Sequence, residues 1–391
     1  MKTLCRLLIL TVLTVLPAYA VYAPIPEQEQ GKALSFRLGA SVYHDSNIFG
    51  AAAGAVSSMV YSVNPGVTFN SSLTQQTFLS LIYDLTLDHF VDRPGSKDLP
   101  SHTFSARLAH QFSQSTTADF SDLYKIARNP ESLLNGVPLN TNQSFRQNEF
   151  DVRYTTNLGP KTGIVLKYRN MDIAYDNPVL SALLDHMEQL AGLEFNFACL
   201  PDTKIAGEYR YQDIGYNSGG ASKNKRSNFI LTGVDYTAGE NLSASARVGM
   251  ESRSRESQRS ATAPYAELSL RYTYSPGSFL STGYAYTYEE SSDPSRFTDT
   301  KVNRLFVNLQ HHLSALLSAS ASIDYEPSKL QGLRGLPDLS ETTTRFGLGL
   351  SWLPTKNWTL SATFDLDEVS SDDANRGQNR NRFGLNARFN F

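Results

Sequence analysis

The sequence predicts an all-β fold, a transmembrane antiparallel up-and-down β-barrel of about eighteen strands. Three observations carry that expectation. Segments of roughly ten residues alternate apolar and polar side chains, as a strand between lipid and a lumen must. Tight turn signals and longer polar stretches follow one another along the chain. The chain also closes on Phe391, at the end of a segment whose two faces differ sharply.

Lys2 and Arg6 frame the start of an apolar run, Leu7 to Leu16, and Ala18-Tyr19-Ala20 is an A-x-A cleavage signature. Residues 1–20 therefore read as a secretory signal peptide. The run is shorter than the roughly 20 residues that a membrane helix needs. Cleavage removes Cys5 and leaves Cys199 alone, so no internal disulfide staples the mature fold. Residues 21–32 are expected to be a periplasmic linker and residues 33–391 the barrel. The net charge of −3 comes with no concentrated basic stretch, which argues against nucleic acid as a partner.

The strands can be justified in order. Leu34, Phe36, Leu38, Ala40 and Val42 alternate with Ser35, Arg37, Gly39 and Ser41. Ile205, Gly207, Tyr209 and Tyr211 alternate with Glu208 and Arg210, and Ala266, Leu268, Leu270, Tyr272 and Tyr274 with Glu267, Ser269, Arg271 and Thr273. Thr344, Phe346, Leu348, Leu350 and Trp352 oppose Arg345. In the last segment Phe383, Leu385, Ala387, Phe389 and Phe391 share one face, and Arg382, Asn386, Arg388 and Asn390 the other. A slip of one residue there would put two arginines into hydrocarbon, at about 2–4 kcal/mol each near the midplane. Phe383, Leu385, Phe389 and Phe391 thus form the expected insertion signal for the barrel assembly machinery.

Turn signals recur near Asn70–Ser72, Gln114–Thr116, Gly159–Lys161, Pro201–Thr203, Ala238–Asn241, Pro276–Ser278, Ser314–Leu316 and Pro354–Asn357. Longer stretches lie between them, among them Asp45–Val56, Val91–Ser101, Ala127–Gln143, Asp176–His186, Asn217–Arg226, Pro327–Ser340 and Val369–Asn379. An even strand count puts both termini and the short turns on the periplasmic side. Trp352, Trp358, Tyr272, Tyr274, Phe195 and Phe197 flank turns, as an interfacial aromatic girdle would. Pro65 falls inside the second strand and marks either a bulge or a misplaced boundary.

Lipid offers the backbone no partner, so such strands must close on themselves. The first strand, near Ala33–Tyr43, should pair with the last, near Arg380–Phe391. Parity then turns Arg37, Arg107, Arg153, Lys167, Arg169, Arg210, Arg247, Arg271, Arg345, Arg382 and Arg388 inward. Asp84, Asp88, Glu149, Asp151, Glu194, Glu208, Asp235, Glu267, Asp324 and Asp365 face the same way. The two signs nearly balance, so neither an anionic nor a cationic solute is implied. Tyr43 and Phe306 are the best inward aromatics for stacking on a sugar.

No catalytic, metal or cofactor site emerges. His44-Asp45-Ser46 is consecutive and cannot take up the facing geometry of a triad. His311 and His312 are neighbours in a strand and point to opposite faces. Asp372-Asp373 and the Asp172/Asp176 pair are candidate cation ligands in loops, with solvated loop charge as the plainer alternative.

After the first strand comes Asp45-Ser46-Asn47-Ile48-Phe49, in which Asp45, Asn47, Ile48 and Phe49 resemble the aspartate-x-asparagine-aliphatic-aromatic signature of the β-barrel porin 2 family. The resemblance extends loosely over the rest of the barrel to Phe391. It implies an outer-membrane barrel, not an enzyme, in an exopolysaccharide biosynthesis and export system, acting as conduit or docking scaffold. Its implied partners are outer-membrane lipid, secreted polysaccharide and periplasmic export proteins. The alternative expectation is a porin for passive diffusion of small solutes.

Overall fold

The computed structural model describes residues 33–128, 144–255, 258–290, 296–333 and 335–391. The expected leader, the linker and most of the loop after Ala127 lie outside the described residues. Eighteen antiparallel strands form one closed sheet. They are β1 (Leu34–Asp45), β2 (Ser58–Thr74), β3 (Thr77–Phe90), β4 (Asp98–Ser113), β5 (Thr116–Ala127), β6 (Phe145–Asn157), β7 (Thr162–Tyr175), β8 (His186–Leu200) and β9 (Thr203–Tyr216). They continue with β10 (Lys225–Ala238), β11 (Leu242–Arg255), β12 (Gln258–Ser275), β13 (Ser278–Glu290), β14 (Phe297–His312), β15 (Leu317–Gly332), β16 (Leu339–Trp352), β17 (Trp358–Ser371) and β18 (Gln378–Asn390). Each strand pairs with its neighbours in sequence, and β1 pairs with β18 from Arg37↔Asn390 to Asp45↔Arg382. No free sheet edge remains, as hydrocarbon surroundings require.

Burial is the reverse of a soluble protein's. Large apolar side chains such as Leu38, Leu166, Leu193, Ile230, Leu268 and Leu348 are exposed on the outer face, whereas Glu194, Glu208, Arg210, Arg247 and Arg382 are buried within. The period-2 pattern sets this, since one face of each strand meets lipid and the other the lumen. Phe383, Leu385 and Phe391 are all more than half exposed. Phe389 lies between Trp358 and Phe391, with ring centroids 5.0 and 4.7 Å away. The six expected girdle aromatics all face outward beside the short turns.

Seven of the eight short turns fall where the sequence puts them; the first does not. Asn70–Ser72 belongs to β2, which runs on to Thr74 before turning at Gln75-Gln76. Asn and Ser suit a turn, but here Asn70 is an inward wall residue opposite Ser80. Pro65 marks neither a bulge nor a strand end. It pairs with Leu38 of β1, and pairing with β3 skips residues 64 and 65 while keeping the same register on both sides. The Asn64 side-chain amide donates to Thr86 Oγ1 at 3.0 Å and bridges that gap.

A short helix, α1 (Pro178–Leu184), stands in the loop between β7 and β8 and is absent from the sequence expectation. Asn177 caps it by accepting from the backbone N–H groups of Val179 and Leu180, and Pro178 opens it with a ring already set for helix. Leu180 and Leu184, one turn apart, pack on Tyr175, Phe145 and Ile173 of the inner wall.

Candidate functional site

The candidate site is the inner wall of the barrel. The expected inward charges that form ion pairs find partners on their own strand or on strands up to three places away. Arg37 of β1 meets Asp84 of β3, Nε to Oδ1 2.8 Å, by reaching across β2 at Gly66. A Cβ at Gly66 would stand 2.5 Å from both Arg37 Nε and Asp84 Oδ1, so only glycine leaves room for this pair. Arg107 binds Asp119 (Nε–Oδ1 2.8 Å), and Arg169 binds Asp151 at 2.8 Å and Glu149 at 3.4 Å.

The densest network lines β7 to β12. Lys167 Nζ donates to Glu194 at 2.7 Å and to Glu208 at 2.9 Å. Arg210 donates to Glu208 through Nε and Nη2, each at 2.8 Å, and to Glu267 at 2.9 Å. Arg247 is held by Asp235 at 2.8 and 2.9 Å. The side chains of Glu208 and Arg210 are 0% and 2% exposed, so this part of the wall is packed against its own residues rather than standing in water. Removing one member would strand a desolvated charge, which is why such networks are all-or-none.

The expected pore-lining residues therefore divide. Arg37, Arg107, Arg153, Arg169, Arg271, Arg345 and Tyr43 face inward and are half-buried, and Arg388 faces inward and is exposed. Arg271 lies 4.1 Å above the Phe279 ring, and Arg345 sits opposite Asp324. Arg210 and Arg247 face inward but are sealed in the network. Phe306 is also sealed: it lies flat on the wall where a Cβ at Gly283 would meet its ring at 2.2 Å, so it is not free to stack on a sugar.

Asp45, Asn47, Ile48 and Phe49 build a latch at the loop end. Asp45, fully buried, takes Arg380 of β18 through Nε at 3.0 Å, across the closing seam. Asp45 Oδ1 also accepts from the Asn47 backbone N–H at 3.0 Å. The Asn47 side chain accepts from Ala51 N and donates to Ala51 O and Asn379 O, which ties loop residues 46–57 to β18. Ile48 then seats on Val60, Phe90 and Leu99, all inward residues of β2 to β4, with Tyr43, Phe49 and Val56 around it. Arg93 lies 5.2 Å over the Phe49 ring. The loop thus folds into the barrel mouth instead of away from it.

Two further apolar clusters occupy the same end, α1 on β6 and β7 and Phe297 with Leu330 and Leu339, while Phe229 and Leu231 with Tyr265 lie at mid-height beside Arg210. These were missed from sequence. Val60, Phe90, Leu330 and Leu339 are apolar residues at inward parity, and that departure from alternation was the available signal.

Of the four acidic residues expected in loops, Asp172 lies within β7 instead, and the other three are committed within the chain. Asp176 pairs with Arg128, Asp373 with Arg296 at 3.2 Å, and Asp372 accepts from Ser340 N at 3.1 Å. Among the described residues no cluster of three or more metal-ligating side chains occurs. His311 faces outward, hydrogen-bonded to the Tyr274 hydroxyl at 2.9 Å.

No family model matches the sequence, and no curated protein matches it. Solved structures do. OpdK of Pseudomonas aeruginosa, solved with vanillate, is 9% identical with a TM-score of 0.54, over 92% of this chain and 99% of that one. The chain folds as a bacterial outer-membrane β-barrel. OccAB3 of Acinetobacter baumannii is 12% identical with a TM-score of 0.48, over 92% of this chain and 99% of that one. The ferric enterobactin receptor PfeA, in complex with BCV-L6, is 11% identical with a TM-score of 0.49, over 93% and 82%. At such identities the likeness is one of fold. The outer-membrane barrel's long loops accordingly lie outside the cell and its short turns in the periplasm.

Proposed function

We propose that this outer-membrane barrel is a porin-like conduit that serves exopolysaccharide export, its periplasmic mouth receiving the polymer. The observation that carries the reading is the state of the lumen wall at the turn end. There Ser72, Thr74, Gln111, Asn386 and Arg388 point inward and are exposed, giving solvent-facing hydroxyls and amides with a single charge on the side where a polymer would arrive. The balance of ion pairs deeper in the wall adds no strong preference for either charge. The aspartate-x-asparagine-aliphatic-aromatic motif adds its resemblance to barrels of export clusters. Periplasmic export proteins would dock at the short turns, and Phe383, Leu385, Phe389 and Phe391 would present the last strand to the assembly machinery.

One observation favours the alternative, passive diffusion of small solutes. Three apolar clusters and the latched loop 46–57 crowd the outer mouth, and a constricted exit would suit a small molecule. Under the export reading that mouth must open. Gene deletion with quantification of surface polysaccharide separates the two: loss of polymer supports export, and unchanged polymer with intact bilayer conductance supports diffusion. A purified barrel without conductance, together with unchanged polymer, would defeat both.

A further inference from the structure

A cavity of about 770 Å³ opens at the turn end of the lumen, against β2 to β5. Its lining includes Asn70, Ser72, Thr74, Phe78, Gln111 and Asp119. Asp119 contributes no free charge, because Arg107 already holds it. What remains is a set of amides and hydroxyls with the Phe78 ring and the His110 imidazole among them.

Asn70 gives the cavity its direction. It is 8% exposed, and its side-chain oxygen accepts no hydrogen bond among the described residues. A buried acceptor without a donor costs free energy, and native proteins rarely keep one that nothing fills. Its Cα partner Ser80 on β3 is buried as well, so bulk water reaches the spot poorly. The oxygen is covered as the side chain stands, so a ligand that brings its own hydroxyl donors would complete Asn70 once the amide turns about its terminal torsion toward the cavity it lines. Exposed Gln111, Ser72 and Thr74 supply both donors and acceptors for the remaining hydroxyls, and Phe78 offers an apolar surface for the C–H face of a ring.

We propose that this cavity is a binding site for a neutral saccharide, with Asn70 Oδ1 accepting from a sugar hydroxyl. The inference rests on the conduit reading for its biological sense and names the substrate class, but its chemistry stands on the lining. The neutral character follows from the lining: it holds no lysine or arginine, Arg107 holds its carboxylate Asp119, and His110 is engaged by Thr77 Oγ1 at 2.8 Å.

The test uses the full-length barrel in planar bilayers with maltohexaose added to one side at a time. Block of the ion current from the turn side alone is expected, with the half-blocking concentration rising roughly tenfold in Asn70→Leu and in Gln111→Leu. Gln111 is exposed, so its variant should fold even if Asn70→Leu does not, as heat-modifiable migration on gels would show. Undiminished block in both folded variants overturns the site, as does stronger block by a sulfated oligosaccharide of equal length. Isothermal titration in micelles keeps site and conduit apart. Binding heat from a barrel that carries no current upholds the cavity and sinks the conduit. A conducting barrel with neither heat nor block sinks the cavity and leaves the conduit standing.

Discussion

Strand β1 carries one ion pair at each end of the lumen, and the two live in different surroundings. At the loop end Asp45 and Arg380 are 0% and 5% exposed. At the turn end Arg37 and Asp84 are 29% and 36% exposed. β18 repeats the contrast along its own length: inward Gln378, Arg380 and Arg382 are buried, while inward Asn386 and Arg388 are exposed. Along the β1–β18 seam the wall is thus sealed toward the loops and open toward the turns, whereas on β7 to β11 the buried ion-pair network carries the seal into the periplasmic half. What differs at the seam is the filling, since loop 46–57 packs on Val60, Phe90 and Leu99 at the loop end.

The sharpest way to break this contrast is to cut both pairs. Asp45→Ala leaves Arg380 buried without a carboxylate and should cost about 3–5 kcal/mol. Arg37→Ala opens a pair that water already screens and should cost less than about 1 kcal/mol. Equilibrium urea unfolding in lipid vesicles measures both, and equal losses would refute the division of the lumen.

A second contrast runs through the wall instead of along it. Leu385→Arg puts a charge into lipid and should cost about 2–4 kcal/mol near the midplane. Asn386→Arg, one residue on and facing the lumen, should stay within about 0.5 kcal/mol. The same unfolding assay applies, and a reversed order would turn the barrel inside out.

Much of this architecture was legible in the residues, because lipid on one face makes alternation obligatory. Strand number, closure of β1 on β18, the girdle and the inward parity of Arg37 and Arg210 all follow from that one constraint. Three features lay beyond it. Parity places Arg210, Arg247 and Phe306 inward but says nothing about how far neighbours bury them. The motif from Asp45 to Phe49 resembles a family mark, and its sequence does not reveal that its side chains form a seam latch whose partners Arg380 and Asn379 lie more than 300 residues away. The turn-end cavity joins four strands, and Asn70 was hidden behind its propensity for turns.

Asn47→Ala should sharpen the picture of the latch. It removes a buried amide that satisfies both backbone groups of Ala51, at about 1–3 kcal/mol. Loop 46–57 should then leave the mouth, and single-channel conductance should rise. Unchanged conductance would mean that the loop does not limit passage.

The smallest expected effect is with acid. The Asn375 backbone N–H and, after it, Arg296 hold the Asp373 carboxyl below its usual range. The Gly332 backbone N–H and Lys329 do the same for Asp338. A lowered folded value means that the stabilisation is complete above the ordinary aspartate range and fades as pH falls through the lowered one, below about pH 4. Hydrogen exchange should then quicken in residues 372–377 and 335–338 while the short turns stay unchanged. Equal quickening at the turns would remove the assigned cause.

The division of the lumen is tested most directly by thiol accessibility in a Cys199→Ser background. Single cysteines at Ser72 and Asn386 should react quickly with a small water-soluble methanethiosulfonate. Cysteines at Val60 and Leu330, inward but sealed, should react slowly, and one at Leu268, facing lipid, should resist. Fast labelling at Val60 and Leu330 would show a lumen open from end to end, and fast labelling at Leu268 would deny the membrane-facing surface altogether.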